Sequence, residues 1–136
     1  MKICIISHDF YPRIGGIAAY VFNLSKTLVK MGHEVLVISI RRNLSLPFIE
    51  RIEGMVVIRF LVPDINKVRG VFFILQAVPF LFFLSLAKKF DVIHWHNMLP
   101  DTVVASFGLS RKKVFTNHSA GFLYFFEKNP RNKFYS

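Results

Sequence analysis

The chain opens with a continuous apolar run, Ile3-Cys4-Ile5-Ile6, and then changes period, with Val21, Leu24, Leu28 and Met31 recurring at helical spacing. A run without polar alternation suits a strand covered on both faces, and the later recurrence marks one face of a helix. Between them lies Ser7-His8-Asp9-Phe10-Tyr11-Pro12-Arg13-Ile14-Gly15-Gly16-Ile17, so the opening is predicted to be strand, loop and helix. Gly32-His33 reads as the end of that helix, and Val35-Leu36-Val37-Ile38 as a second buried strand. Residues 41–54 carry mixed charge and Pro47, which predicts a loop or short excursion before a third apolar strand at 55–60, ended by Pro63-Asp64. Val92-Ile93-His94-Trp95 is a fourth strand; Pro100-Asp101 fits the first turn of a helix through Val103, Val104 and Phe107 to near Gly108; and 113–116 is a fifth strand. The aromatic and basic tail 121–136 starts helical and turns polar at Asn129-Pro130. There is no internal repeat. The order β-α-β-β-α-β-α-β-α predicts a Rossmann-like α/β domain, a mostly parallel sheet with helices on both faces.

Residues 71–87 contain no charge and are dominated by Phe, Leu and Val, with cations Lys67, Arg69, Lys88 and Lys89 at both ends. A transmembrane helix needs about 20 predominantly apolar residues, and this run is interrupted by Gln76, Pro79 and Ser85. Because it directly precedes a buried strand, the reading is a crossover helix packed on the sheet and kinked or broken near Pro79. A true span, and an apolar helix resting on an anionic membrane, stay open as alternatives.

A chain of 136 residues that is 53% apolar is long enough for one domain with a genuine core, and its composition excludes disorder. Lys and Arg number 18 against 8 Asp and Glu, so the formal charge of +10 suits an anionic partner: a phosphorylated ligand, an acidic lipid surface or nucleic acid. Cys4 is the single cysteine, which excludes an intrachain disulfide and a thiolate metal cluster and fits a reducing, cytoplasmic setting. No signal-peptide pattern precedes the first strand.

Gly15 and Gly16 stand where the first helix begins, so backbone N–H groups can face a ligand with no Cβ in the way and the helix dipole favours an anion, a phosphate above all. The pair matches neither G-x-G-x-x-G nor G-x-x-x-x-G-K-[ST], and it equally allows a simple turn. Ligands of an open parallel sheet bind beyond the carboxyl ends of the strands, and here histidines follow three of them: His8, His94 with His96, and His118. Zinc requires three or four ligands with supporting partners, and no Cys or Glu joins these residues at ligand spacing, so no metal is expected. Hydrogen bonding to hydroxyls or phosphate is the better use, although His94, inside its strand, could instead satisfy a buried backbone group. Asn97 and Asp101, and Thr116-Asn117-His118-Ser119, complete a polar rim that suits a sugar. Asp9 is the candidate base near the first loop. No Ser-His-Asp spacing or close carboxylate pair stands out.

The opening I-C-I-I-S-H-D-F-Y-P-R-I-G-G-I-A-A-Y, then K-M-G-H-E-V-L-V-I, D-V-I-H-W-H-N-M-L-P-D and V-F-T-N-H-S, in this order and spacing over about residues 2–119, resemble the N-terminal domain of a family 4 glycosyltransferase of the GT-B fold. F-Y-P-x-x-G-G and V-F-T-N-H-S also resemble the branch that adds N-acetylglucosamine to phosphatidylinositol. The resemblance implies retaining, metal-independent transfer of a sugar from a nucleotide-sugar donor, a co-substrate, to a glycan or lipid-linked acceptor, with no further cofactor. It implies that Gly15 and Gly16 face the donor phosphate, that His118 is the catalytic-site histidine beside the donor sugar, and that Tyr11, His96 and Asn97 are on the acceptor side. Members often carry a basic or polar residue where Ala19 stands, so no acceptor contact is carried over there.

The family builds its donor site chiefly on a C-terminal domain with a Glu-x7-Glu motif, which these residues do not include. Residues 1–136 are therefore expected to be a single, incomplete N-terminal domain, inactive alone and dependent on a donor-domain partner or on self-association. The competing reading is a non-catalytic, membrane-associated scaffold of the same fold, peripheral at the inner face of a membrane. Nucleic acid ranks last, because the cations are scattered and no recognition motif is present.

Overall fold

The computed structural model describes residues 1–97 and 99–118. Their elements are β1 (Lys2–Ile6), α1 (Gly16–Lys30), β2 (Glu34–Arg41), β3 (Ile49–Ile52), β4 (Met55–Leu61), α2 (Asn66–Lys88), β5 (Phe90–Trp95), α3 (Asp101–Phe107) and β6 (Ser110–Phe115). The six strands form one sheet in the order β3-β4-β2-β1-β5-β6. Every pairing is parallel except that of β3 with β4.

Alternation along the strands divides the core in two. Cys4, Ile6, Leu36, Ile38, Ile58 and Phe60 pack beneath Phe73, Ala77 and Leu81 of α2 and Val104 and Ala105 of α3. Ile3, Ile5, Val35, Val37, Met55 and Val57 pack on the other face with Val21 of α1. Covered on both sides, β1 has no position for a polar residue after Lys2, which explains its unbroken apolar run. The α/β class with helices on both faces is thus the one observed.

Helix α1 closes in a Schellman motif, with the His33 N–H bonded to the Leu28 carbonyl at 3.1 Å and the Gly32 N–H to that of Val29 at 3.0 Å. Gly32 has φ +89, the left-handed conformation that this ending needs.

The stretch 41–54 is not simply a loop, since it contains β3, an antiparallel edge strand paired with β4. Glu53 at φ 49 and Gly54 at φ 84 make the positive-φ turn between them. The strand escapes the apolar pattern because it lies at the sheet edge, is nowhere fully buried and carries Glu50 and Arg51. Arg59 of β4 is 1% exposed; it donates to Glu50 on β3 at 2.7 Å and to the Tyr11 carbonyl at 3.1 Å, tying the hairpin to the loop after β1.

Of the kink or break expected near Pro79, the break does not occur, since α2 runs unbroken through that residue from Asn66. A proline frees the carbonyl four residues earlier, that of Leu75, and both residues are on the exposed side, where water can bond it. The buried residues of α2 are Phe73, Ala77, Leu81 and Ser85, so the expected packing on the sheet holds for one face of the helix only. The tail 121–136, expected to start helical, lies outside the described residues, as does Ser119 of the polar rim.

Candidate functional site

Neighbours of β1 lie on opposite sides of it in chain order, β2 on one flank and β5 on the other, and such a switch point opens a crevice at the carboxyl ends of the strands. Ser7 and His8 leave β1 there, and His96 and Asn97 leave β5. Thr116, Asn117 and His118 leave β6 on the adjoining flank.

Three of the strand-end histidines are drawn together. His94 and His96, two residues apart and so on one face, have ring centroids 4.1 Å apart. His96 Nδ1 lies 3.1 Å from His118 Nε2, so one ring donates and the other accepts. His94 Nε2 hydrogen-bonds the Thr116 hydroxyl at 2.8 Å, which answers the question of its partner with a side chain rather than a backbone group. Tyr20 of α1 closes the group edge-on, with its ring 5.8 Å from that of His96 and 5.0 Å from that of His118. His96 is 0% exposed, and its Nε2 has no hydrogen-bond partner among the described residues. Burial first, then the neighbouring His94 and His118, lower its pKa to about 3, so it is a neutral ring. His94 is lowered for the same two reasons, burial and then His118.

His8 belongs to a second cluster. Asp101, fully buried at the start of α3, accepts from the His8 ring Nδ1 at 3.0 Å, the His8 backbone N–H at 3.3 Å and the Asn97 amide at 3.0 Å. Burial lowers the His8 pKa, but the hydrogen bond and charge of Asp101, with the charge of Asp9, outweigh it and leave the value raised. With three donors the Asp101 carboxylate clamps the ends of β1 and β5 to α3. Asp9, the candidate base, is held in an ion pair by Arg13.

Helix α1 begins at Gly16 without a side-chain cap and without an acidic residue in its first turn. Its first-turn N–H groups therefore lack the partners that helices usually recruit. Neither glycine is required by the chain itself: Gly15 has extended φ of 172, and a Cβ at either position would have no neighbour within 4 Å. Tyr20 follows Gly16 by one helical turn, so the bare amides and the histidine pair share one end of α1.

The three residues expected on the acceptor side do not form one group. His96 is buried against His118, Asn97 is bound to Asp101, and Tyr11 is 48% exposed, its ring 5.1 Å from that of Phe22. Tyr11 lines a cleft of about 340 Å³ with Arg13, Arg41 and Arg42. A second cleft of about 430 Å³ is lined by Lys67, Arg69, Ile74, Leu99 and Pro100, and His8 and Ile40 belong to both. Sequence reasoning missed Tyr20 and Arg59. An arginine inside the apolar run of β4 was a signal for Arg59, whereas Tyr20 lies on a helix and gives none. Among the described residues, no group of three His, Cys, Asp or Glu side chains has the arrangement to hold a metal ion.

Residues 14–136 match the family model described as Glycosyltransferase Family 4. Among curated proteins, the chain is 23% identical over 122 residues to one subunit of the human phosphatidylinositol N-acetylglucosaminyltransferase, covering 87% of this chain and 25% of that protein. It is 26% identical over 121 residues to the gpi3 subunit of the Schizosaccharomyces pombe enzyme, covering 85% and 26%. An uncharacterised glycosyltransferase of Methanocaldococcus jannaschii is 32% identical over 108 residues, covering 78% and 27%. The chain thus spans about a quarter of the length of these relatives. Among solved structures, sucrose-phosphate synthase of Thermosynechococcus elongatus superposes with a TM-score of 0.73 at 18% identity, over 97% of this chain and 36% of that one. The catalytic domain of starch synthase IV of Arabidopsis thaliana does so with a TM-score of 0.57 at 18% identity, over 87% and 34%.

Proposed function

We propose, from the premise that the chain belongs to glycosyltransferase family 4 and folds as the N-terminal half of a GT-B protein, that it is the acceptor-side part of an enzyme moving a sugar with retention from a nucleotide-sugar donor to a glycan or lipid-linked acceptor. One observation carries this reading: two glycines that the chain does not itself need open an uncapped helix, one turn before a tyrosine that touches His96 and His118.

In the reaction, the bond from the anomeric carbon to the diphosphate oxygen breaks and a bond to the acceptor oxygen forms. Negative charge grows on the departing diphosphate, where the N–H groups behind Gly15 and Gly16 stabilise it. His118 hydrogen-bonds a hydroxyl of the donor sugar. Neutral His96 acts through it, fixing the His118 ring from behind the reacting atoms. Asp101 is fully buried with three donors on it and Asp9 is held by Arg13, so neither takes the acceptor proton, which is left for the departing diphosphate. Asn97 and Tyr11 border the acceptor, and Arg41, which lines the same cleft as Tyr11, suits one that bears phosphate. Two of the relatives are named for transfer of N-acetylglucosamine to phosphatidylinositol, which supports a phospholipid acceptor.

The test is transfer from radiolabelled nucleotide sugars to phospholipid and glycan acceptors by the full native gene product containing this chain. His118→Ala and Gly15→Val are each expected to lower kcat/KM by about 100-fold or more, Gly15→Val with an unchanged melting temperature because a Cβ there meets nothing within 4 Å. Wild-type rates in both variants would overturn the assignment and favour a scaffold.

A further inference from the structure

Arg59 is the largest fully buried side chain among the described residues, and it stands in a strand whose other positions from Met55 to Phe60 are apolar. Two residues beyond Val57 and four beyond Met55, it lies with them on the α1 side of the sheet. A buried cation is costly unless it is paired and hydrogen-bonded, so its partners show its use. Nη1 donates to Glu50 Oε2 at 2.7 Å, which balances the charge within the β3–β4 hairpin. Nη2 donates to the Tyr11 carbonyl at 3.1 Å, on a segment 48 residues away along the chain. That second bond leaves the charge balance as it was and fixes a loop to the sheet. Phe10 is 4% exposed and anchors the near end of the loop, whereas residues 11–16 are all exposed, Ile14 at 99%. The Ser7 hydroxyl on the Asp9 carbonyl at 2.6 Å, the Arg13 N–H on that of Phe10 at 3.1 Å and the Arg13–Asp9 ion pair fold the loop upon itself. Gly15 and Gly16 offer no side chain by which their end could be held.

We infer that Arg59 is a positioning residue for sugar transfer, acting through the Tyr11 carbonyl to set the place from which the Gly15 and Gly16 amides meet the donor. This role presupposes that those amides face the departing diphosphate, as proposed above. Such donors stabilise developing charge without reorganisation only when they are held in place beforehand. The guanidinium suits the task because it is planar and presents its N–H groups in a rigid fork, so a strand of the sheet fixes the carbonyl and Glu50 in one geometry. At 1% exposure Arg59 is out of reach of either substrate and works only through the loop.

The full native gene product is compared as wild type, Arg59→Met, Gly15→Val and the double variant. Methionine puts an apolar chain in an apolar site, and Glu50 at 37% and Tyr11 at 48% exposure are open to water, so the fold is expected to survive the exchange. Should it not, Arg59→Lys, which keeps a cation beside Glu50 and gives up the planar fork, takes its place in the same measurements. Arg59→Met is expected to lower kcat by roughly tenfold or more with the acceptor KM little changed. The double variant should be no slower than Gly15→Val, because both changes act through one loop. Limited trypsin digestion reads the loop without turnover: cleavage between Arg13 and Ile14 should quicken by about tenfold or more in Arg59→Met, and cleavage elsewhere should keep its wild-type rate. An undiminished kcat in Arg59→Met, a double variant slowed by the full product of the two single effects, or cleavage after Arg13 at the wild-type rate would each overturn the inference and leave the proposed function standing. Wild-type kcat in Gly15→Val would overturn both.

Discussion

A Cβ at Gly108 would stand 2.5 Å from Ile93 Cδ1 and 2.8 Å from Leu81 Cδ2, both side chains being fully buried and unable to move aside freely. Gly108→Ala is therefore expected to lower stability by about 1–3 kcal/mol through overpacking, read from urea denaturation. At Gly15 the same change meets nothing within 4 Å and an extended φ, so Gly15→Ala should leave the denaturation curve in place. The contrast separates a glycine required by packing from one whose bare backbone is open to a ligand. The gathering of histidines at one edge of the sheet was legible because each of these imidazoles stands at or just after the end of a strand in the sequence. Tyr20 was not, since its partners are 76 and 98 residues away along the chain and are brought to it only by the packing of α1 on the sheet and by the strand order that sets β5 and β6 on one flank of β1.

At the scale of the element, α2 divides its aromatic residues sharply. Phe73 is 0% exposed and Phe83 is 67% exposed, so Phe73→Ala is expected to cost about 3–5 kcal/mol and Phe83→Ala no more than about 0.5 kcal/mol. The same thermal or urea unfolding experiment checks both. Sequence composition could not make this division, because both faces of the helix are apolar and only the sheet distinguishes them. The β3–β4 hairpin is the opposite case, an element hidden by its charge. Its turn residue Gly54 has φ +84, and a Cβ there would meet Val29 Cγ1 at 2.7 Å, so Gly54→Ala should destabilise by about 1–2 kcal/mol or more.

For the whole molecule, the two histidine clusters give stability opposite pH dependences. The raised pKa of His8 means that its contribution is complete below the unfolded value of 6.5 and fades as pH rises through the folded one. His96, lowered to about 3, contributes fully above 6.5 and loses that contribution as pH falls from there towards 3. Unfolding free energy measured against pH should therefore fall on both sides of a maximum. Asp101→Asn should flatten the alkaline limb and His96→Asn the acid one; parallel curves for wild type and variants would contradict both assignments. Sequence by itself determined the buried strands, the ends of α1 and α3 and the polar residues gathered at the strand ends, since each is a local matter of burial period, backbone freedom and residue type. Only the tertiary structure decided that β5 and β6 lie on the flank of β1 opposite β2, so that His96, His118 and Tyr20 meet. It alone decided that a charged stretch pairs as an edge strand, and which face of α2 stays bare. Those outcomes depend on strand order and on packing between distant segments, which periodicity along one chain does not encode.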